Sequence, residues 1–511
     1  MTPFSIFALL YMTAIFLELA EKWTYPLYTS TVLLLVVLVL ATRVTRVTFL
    51  VFLAVTTAHF LLVQFPDVAN HVNVAIYGNV LMMVGIVYSL ARRQDFPTDD
   101  DFFEMLRPLL QATMVLVYFL AGFHKLNADF LEPTISCVGN TLDRLLGVAR
   151  SRTIGVPLGI VLLGGSLVPA YRLLSRSPLR RYGPVFTGAG AIALGIAAAL
   201  LLLRPELPAG ARTMAVLGMA GLVILWELVG GPMLAVPRLQ APLLAFSWTM
   251  HATLALIGFV DFGALALALL FTFVPRPYLD MLTTRVRVPV IGLAVQRAHL
   301  YFAMCVLAGI SSGLDNRLAS GLIFNLSALV LIWPLLSALA APASRQAWTG
   351  VPLSSRMTPR WLFIFPALLF FHGVTSYLGL RTAGNFSMFS NLRTEGARSN
   401  HFLLGNNPLK LWGYQEDVIR FIRINDRQAG IGYQYQPLQG NQLPVVEFRK
   451  LIYLWTRAGK IVPLTFEYRG KIHSTEDIAN DPAWRTGARN WEMALLDFRS
   501  IQSEGRNRCR W

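Results

Sequence analysis

Long apolar runs follow one another from the first residues of the chain to about residue 378. Clear examples cover residues 31–41, 185–203, 214–228, 318–339 and 361–378. A helix needs about 20 apolar residues to cross a bilayer core of about 30 Å, because lipid offers the backbone no hydrogen-bond partners. The pattern contains about thirteen such segments, so it predicts a polytopic all-α membrane domain over residues 1–378.

The pattern changes abruptly after residue 378, where Gly, Asn, Arg and Gln replace the apolar runs. We therefore expect a small soluble α+β domain over residues 379–511. Residues 445–455 and 460–468 are rich in β-branched and aromatic residues, which predicts two strands, the second ending at Arg469-Gly470. Residues 409–424, after Pro408, predict a helix, and we expect another within residues 481–497.

Composition supports the membrane class. Hydrophobic residues make up 55% of the 511 residues and charged residues 14%, with a mean hydropathy of +0.53. Soluble chains carry roughly 25% charged residues, so a soluble globular protein is excluded. The first apolar segment has no basic start, and Glu18, Glu21 and Lys22 stand where a signal peptide would be cleaved. We expect this segment to be the first span.

The positive charge predicts an orientation. Before residue 379, 17 of the 25 Lys and Arg residues lie in loops that would share a side with the N-terminus. Basic loops stay in the cytoplasm, so we expect a cytoplasmic N-terminus. An odd number of spans then makes the C-terminal domain extracytoplasmic. The net charge of +16 is explained by these loops and a basic tail, and no nucleic-acid partner is expected.

The three cysteines differ in their surroundings. Cys305 lies inside an apolar run and is expected to be buried and inert. Cys137 and Cys509 both fall on the predicted outer side, where disulfides persist. Two outcomes stay open for them. A bridge would tie the tail to the membrane domain, or Cys509 belongs to a disordered terminal segment.

Several ionisable residues interrupt the apolar runs. Such residues are costly in lipid and are candidates for function, although some lie at span ends or pair with neighbours. They are Glu18, His59, Glu227, His251, Asp261 and His299. They share no metal-ligand spacing, and HExxH, CxxC, Walker and GxSxG motifs are absent. The sequence therefore predicts no metal site.

One polar segment follows an apolar run directly. Residues 118–130 read Tyr-Phe-Leu-Ala-Gly-Phe-His-Lys-Leu-Asn-Ala-Asp-Phe and bring His124, Lys125, Asn127 and Asp129 to the predicted membrane surface. A lysine in such a position either extends its amine to the lipid interface or, when partly buried, is a neutral amine that accepts a proton. The residues alone leave both readings open.

This segment resembles the signature of the horizontally transferred transmembrane (HTTM) family, which is related to vitamin K-dependent gamma-glutamyl carboxylase. The carboxylase carries a similar Ala-Gly-x-Lys-Lys-Leu-Asp-Ala-Asp-Trp run. In the family, the lysine before the leucine is taken as the base that deprotonates reduced vitamin K, so the resemblance implies Lys125 as a catalytic base. His124 replaces the preceding lysine, Asn127 the first aspartate and Phe130 the tryptophan.

Two further stretches are similar to family segments. Asn70-His71, followed by Tyr77-Gly78, resembles an Asn-His segment of the carboxylase and implies His71 as a second catalytic group. Residues 386–395 and 399–401 resemble a segment of bacterial members and either cap the Lys125 cavity or order the tail as a linker. Together with the polar neighbours of Lys125, they give the candidate substrate-binding residues His124, Asn127, Asp129, Arg393, Glu395 and His401.

The resemblance implies an epoxidase or carboxylase at the outer face of a bacterial inner membrane. Its cofactor would be a reduced quinone, vitamin K hydroquinone or menaquinol, and its partners the lipid bilayer and a protein or peptide substrate. The alternative is a non-catalytic scaffold, lipid-handling protein or transporter on the same helices. Convergence of Lys125, His71 and residues 393–401 on one apolar cavity would favour the enzyme.

Overall fold

The structure is a computed structural model that describes residues 1–21, 44–65, 68–150, 209–288, 292–314, 316–340, 350–396, 399–405, 409–425, 429, 437–485, 491–503 and 505–509. The predicted spans at 31–41 and 185–203 lie outside these residues. Up to residue 378 the described chain is mainly helical, and its α-helices are α1 Pro3–Glu21, α2 Arg46–His59, α3 Asn70–Ala91, α4 Asp99–His124, α5 Cys137–Arg150, α6 Ala209–Leu225, α7 Gly231–Met233, α8 Gln240–Ala255, α9 Val260–Leu270, α10 Arg276–Leu279, α11 Arg297–Gly313, α12 Arg317–Ala340, α13 Ile364–Gly373 and α14 Thr375–Leu378.

Side-chain caps fix where two of the long helices begin. The Thr98 hydroxyl accepts a hydrogen bond from the Asp101 backbone N–H, and the Asp101 carboxylate accepts one from the Thr98 backbone. Thr45 and Thr48 form the same reciprocal pair at the start of α2. Each cap satisfies backbone N–H groups that the first helical turn leaves without partners.

Six helices in the described residues are long and apolar enough to cross a membrane, and two shorter apolar helices cover Val260–Phe273 and Arg360–Gly373. Helix α1 is the predicted first span and carries apolar side chains on every face, with Glu18 near its end. It lies at the centre of the bundle, and 94% of its apolar window is buried. A helix without a polar face is stable only when other helices or lipid surround it.

Polar contacts identify the two ends of the bundle. The Phe4 backbone N–H donates to Asp100 at 3.1 Å, and Arg46 pairs with Asp99 at 2.8 Å. The starts of α1, α2 and α4 therefore share one end, which we call the N-terminal end. Helix α4 finishes beside Lys125 at the opposite end, where the C-terminal residues also lie. We call this opposite end the Lys125 end.

Residues 381–401 lie across the Lys125 end of the bundle. The Asn73 side chain donates to the Gly384 carbonyl at 2.8 Å, and Asn70 accepts from the backbone N–H of Phe386. Most side chains from Arg381 to Glu395 are buried. The polar segment after residue 378 therefore covers the helices before the chain enters the sheet.

A five-stranded antiparallel sheet forms the C-terminal core, with its strands in the order β6 (Lys471–Thr475), β5 (Leu464–Tyr468), β3 (Val418–Ile424), β4 (Asn441–Pro444) and β7 (Ile501–Gln502). Two short strands, β1 Arg285–Arg287 and β2 Ala294–Gln296, form a separate hairpin within the bundle sequence. The elements of the C-terminal core are β3 Val418–Ile424, β4 Asn441–Pro444, α15 Val445–Arg457, β5 Leu464–Tyr468, β6 Lys471–Thr475, α16 Trp491–Leu495 and β7 Ile501–Gln502.

Two secondary-structure predictions for this domain are confirmed. Strand β5 ends at Tyr468, and Arg469 and Gly470 both have positive φ angles, 50° and 74°, at the turn into β6. A two-residue turn with positive φ at both positions has a backbone twist that matches the right-handed twist of the two strands of a hairpin. The helix expected within residues 481–497 is α16.

Two other predictions were wrong. Residues 409–424 were expected to form a helix, but Val418–Ile424 is a strand that pairs with both β4 and β5. Its buried Ile419 and Phe421 alternate with the exposed Arg420, which is a strand pattern. Residues 445–455 were expected to form a strand but belong to helix α15, because Phe448, Leu451 and Trp455 fall on one helical face over the sheet.

A disulfide joins Cys137, at the start of α5, to Cys509 near the end of the chain. The Cys509 backbone N–H also donates to the Ile135 carbonyl at 3.0 Å. The last described residues are therefore held against the Lys125 end. Cys305 is a buried free thiol 3.4 Å from the Ser327 hydroxyl.

Candidate functional site

An apolar cavity of about 370 Å³ lies at the Lys125 end of the bundle. Ligand pockets in proteins occupy roughly 300–1,000 Å³ and are lined mainly by apolar side chains with a few polar groups. The walls are mostly aliphatic and aromatic. Among the described residues, the ionisable side chains that line them are His71, Tyr118, Lys125, Glu227 and His251, and the other polar ones are Asn70, Thr141, Thr249 and Thr253. A hydrophobic molecule with polar substituents fits this lining.

Lys125 and Glu227 form a buried ion pair on the cavity wall. The Lys125 ammonium nitrogen lies 2.7 Å from one Glu227 carboxylate oxygen and donates to the other at 3.0 Å. It also donates to the Ala121 carbonyl at 3.3 Å. Only 4% of Lys125 is exposed. A solvated amine at the lipid interface, one of the two readings of the sequence, does not describe this position.

Local helix geometry brings the two residues together. Lys125 is the C-cap of α4, and Glu227 lies in the π-helical turn Trp226–Gly230 that follows α6. A Cβ atom on Gly122 would lie 2.8 Å from the Glu227 Cβ and 2.9 Å from the Leu228 nitrogen. Glycine at position 122 therefore permits the close approach. Short π-helical turns inside helices often occur at functional sites.

His71 is the centre of a second polar group on the same cavity. Its Nε2 lies 2.6 Å from a Glu18 oxygen and 3.0 Å from an Asp261 oxygen. Glu18 and Asp261 are 3% and 7% exposed. The three residues come from the end of α1 and the starts of α3 and α9, so only the packing of these helices brings them together.

A third polar contact, between Tyr118 and His251, lies on the wall of the same cavity. The Tyr118 hydroxyl is 2.8 Å from His251 Nε2 and 3.2 Å from the Ser247 hydroxyl. The His251 ring packs edge-on against Phe262, whose ring also contacts His71. An apolar ligand in the cavity would therefore meet a phenol and an imidazole in addition to the two ionic groups.

The 381–401 segment contributes Phe386, Met388 and Phe389 to the cavity lining. Phe386 and Phe389 have left-handed backbone conformations, with φ of 67° and 53°. Such a conformation costs a non-glycine residue on the order of 1–3 kcal/mol and is concentrated at functional sites. The Phe389 ring packs edge-on against Phe259, which also lines the cavity.

The polar neighbours of Lys125 do not line the cavity. His124 is buried between the Tyr377 hydroxyl at 2.8 Å and the Asn385 carbonyl at 3.2 Å. Asn127 donates to the His124 and Ser390 carbonyls. Asp129 accepts from the Asn400 side chain at 2.8 Å and from the Asn507 backbone at 2.9 Å. These three residues attach the C-terminal segments to the bundle.

Arg393, Glu395 and His401 also lie away from the cavity lining. The Arg393 backbone N–H donates to Asn400, and Glu395 is buried beside the Arg499 guanidinium, whose pKa burial lowers and Glu395 raises. His401 Nε2 donates to the Phe123 carbonyl at 2.9 Å, and its Nδ1 accepts from the Leu403 and Leu404 backbones. None of the described residues of the 393–401 segment therefore lines the cavity.

Sequence reasoning identified Lys125 and His71 but missed their partners. The apolar runs contain three acids, Glu18, Glu227 and Asp261. Their spacing in the sequence did not indicate that they pair with Lys125 or His71. Of the other ionisable residues predicted within the apolar runs, His251 lines the cavity, and His299 is exposed on α11.

The geometry supports proton transfer inside an apolar chamber. Lys125 and Glu227 provide an amine and a carboxylate in contact, and both are largely buried on a wall whose other side chains are mostly apolar. No family model matches this chain, and neither a curated protein nor a solved structure is found to be similar to it.

Proposed function

We propose that the chain spans a membrane, with its N-terminus in the cytoplasm and its C-terminal domain on the outer side. Six long apolar helices in the described residues support the membrane span, and so do exposed apolar side chains on the outside of the bundle. The orientation rests on the charge pattern of the loops in the sequence. Met214 and Leu225 of α6 are 70% and 59% exposed, which is unfavourable in water and ordinary in lipid.

We propose further that the protein deprotonates a lipid-soluble quinol or similar phenol in the apolar cavity and directs its oxidation by O2, as the HTTM resemblance implies. One observation carries the proposal. Lys125 and His71, the two catalytic groups implied by that resemblance, line one apolar cavity although 54 positions separate them. A reduced quinone has an apolar ring and two hydroxyl groups, which suits this lining.

Lys125 is the base in this proposal, and Glu227 is its proton partner. A buried ammonium–carboxylate pair in contact exchanges with a neutral amine–carboxylic acid pair when the surroundings are apolar. In the neutral form, the amine nitrogen accepts the phenolic proton, one O–H bond breaks and one N–H bond forms. The resulting Lys125 ammonium then lies beside the phenolate oxygen and stabilises its charge.

A reduced quinone supplies the reducing equivalents, since one quinol and one O2 give one quinone epoxide and one water. Tyr118 and His251 line the same cavity and would lie near a second ligand oxygen, and Phe386 and Phe389 would contact the ring. The resemblance also implies a second step, the carboxylation of a glutamate-containing peptide. Deprotonation and oxidation of the quinol, as described above, form the first step.

The proposal is tested by oxygen consumption and epoxide formation with purified protein and either vitamin K hydroquinone or menaquinol. We expect wild-type protein to form epoxide and Lys125→Ala to lose at least 100-fold of the rate, as removal of a general base typically costs about 10²–10⁴-fold. Lys471→Ala removes an exposed lysine on β6 and is the matched control, which should keep the wild-type rate.

Folding is checked in the same experiment by monodispersity in detergent. Absence of epoxide from well-folded wild-type protein would overturn the quinol proposal and leave the alternative of a scaffold, lipid-handling protein or transporter. Equal epoxide yields from wild type and Lys125→Ala would keep the reaction and remove Lys125 as its base.

A further inference from the structure

We propose that Glu18, His71 and Asp261 bind a divalent transition-metal ion at the wall of the cavity. The spacing of these residues in the sequence predicts no metal site, but the fold gathers one donor atom from each of them. These donor atoms all lie within 4.8 Å of one another. This inference goes beyond the proposed function and does not depend on Lys125 acting as a base.

The distances suit coordination. Metal–oxygen and metal–nitrogen bonds of about 2.0–2.2 Å put neighbouring ligand atoms about 3 Å apart and opposite ligand atoms about 4.4 Å apart. His71 Nε2 lies 2.6 Å and 3.0 Å from its two carboxylate neighbours. Shifts of a few tenths of an ångström in these side chains are enough to admit an ion between the three atoms.

The donor set indicates the class of metal. One imidazole nitrogen with two carboxylate oxygens suits Fe²⁺, Mn²⁺ or Zn²⁺, whereas thiolate ligands for soft ions are absent from the cluster and the imidazole disfavours Mg²⁺ and Ca²⁺. Three protein ligands leave coordination positions open. Because His71 lines the cavity, an open position would face the cavity and take a water or a ligand oxygen there.

The helices support the site from three directions. Asp261 lies in the first turn of α9, where its Oδ1 accepts from the Phe262 backbone N–H at 2.7 Å. Its Oδ2 is the atom that faces His71. Glu18 is fixed within the buried helix α1, and the His71 ring packs against Phe262 at 6.2 Å between centroids. The ligand positions are therefore set by packed helices rather than by loops, as a metal site requires.

The test measures metal content of protein purified without chelators from cells supplied with iron, manganese and zinc. We expect close to one equivalent of one of these metals per chain in wild type and at least a tenfold loss in Asp261→Asn and Glu18→Gln. Asp143→Asn is the matched control, because it makes the same carboxylate-to-amide change at an exposed residue outside the cluster and should keep the metal.

A second measurement does not depend on how the variants fold. Wild-type protein stripped with a chelator is titrated with Mn²⁺ and followed by electron paramagnetic resonance, and we expect one saturable site that Zn²⁺ displaces. Metal well below stoichiometric amounts together with no saturable Mn²⁺ binding would overturn the proposal, and His71 would then be an imidazole held by two carboxylates. Epoxide formation is not used as a readout, so failure of the quinol proposal leaves this test unaffected.

Discussion

At the scale of single residues, the buried Lys125–Glu227 pair affects the free energy of unfolding. Both side chains are largely buried, so each depends on the other to compensate its charge. Removing one partner from a buried pair typically costs about 3–5 kcal/mol, because the remaining charge keeps its desolvation penalty. Replacing both with apolar side chains of similar size costs much less.

We therefore predict that Glu227→Leu and Lys125→Met each lower the free energy of unfolding by about 3–5 kcal/mol. The double variant should be more stable than either single variant. Denaturant unfolding of the four proteins in detergent gives the coupling energy directly. Additive single effects, within about 0.5 kcal/mol, would contradict the ion pair.

His401 gives a pH prediction outside the helices of the bundle. Burial lowers the pKa of this imidazole, and two backbone N–H groups donate to its Nδ1, which leaves no acceptor for a second ring proton. The unfolded chain therefore binds a proton more readily than the folded chain. Stability contributed by neutral His401 is complete above the unfolded pKa of about 6.5 and is lost as the pH falls below it.

The measurement compares the unfolding midpoint of wild type and His401→Gln between about pH 5 and 7.5. We expect the wild-type midpoint to fall more steeply toward low pH than that of the variant, since glutamine does not titrate in this range. Parallel pH profiles would mean that His401 carries none of the acid sensitivity.

At the scale of elements, the contact between α4 and the π-helical turn after α6 determines whether the site forms. A methyl group on Gly122 would meet the Glu227 Cβ and the Leu228 backbone nitrogen at less than 3 Å, and neither atom is the flexible end of a side chain. The two elements must then separate, and this separation pulls Lys125 away from Glu227.

We predict that Gly122→Ala lowers the unfolding temperature and reduces any Lys125-dependent activity together. Gly218→Ala is the matched control, because a Cβ on this α6 glycine meets no atom within 4 Å. Alanine is favoured over glycine by about 1 kcal/mol in a helix, so the control should keep or raise the unfolding temperature. Equal behaviour of the two variants would contradict a close helix contact at Gly122.

At the scale of the whole molecule, the disulfide between Cys137 and Cys509 closes the tail onto the bundle across 372 positions. We predict that denatured, unreduced protein reacts with one equivalent of a maleimide–polyethylene glycol, at Cys305, and that reduced protein reacts with three. Gel mobility counts the additions. In Cys305→Ala the expected numbers are zero and two.

Three additions without reduction would show that the bridge is absent from the purified protein. A persistent bridge would agree with an oxidising compartment for the Lys125 end, as the charge pattern predicts. The pair Cys137→Ser and Cys509→Ser should lose about 2–5 kcal/mol of stability where the bridge forms.

The amino-acid sequence by itself determined the elements whose pattern is local. Apolar runs long enough for a span predicted helices such as α1 and α12, and Arg469-Gly470 predicted the end of strand β5, because both depend on residues close together in the chain. The segment around Lys125 likewise marked a position with unusual chemistry. Strand β3 and helix α15 were misassigned because apolar composition was weighed above the spacing of the apolar residues.

Only the tertiary structure decided which side chains meet. Glu227 lies 102 positions from Lys125, and Asp261 lies 190 positions from His71, so their contacts depend on the path of several helices through space. A buried charge requires a partner, but sequence spacing does not say which one, because helices from distant parts of the chain pack side by side. The tertiary structure also decided that His124, Asn127 and Asp129 form hydrogen bonds with the C-terminal segments and do not line the cavity.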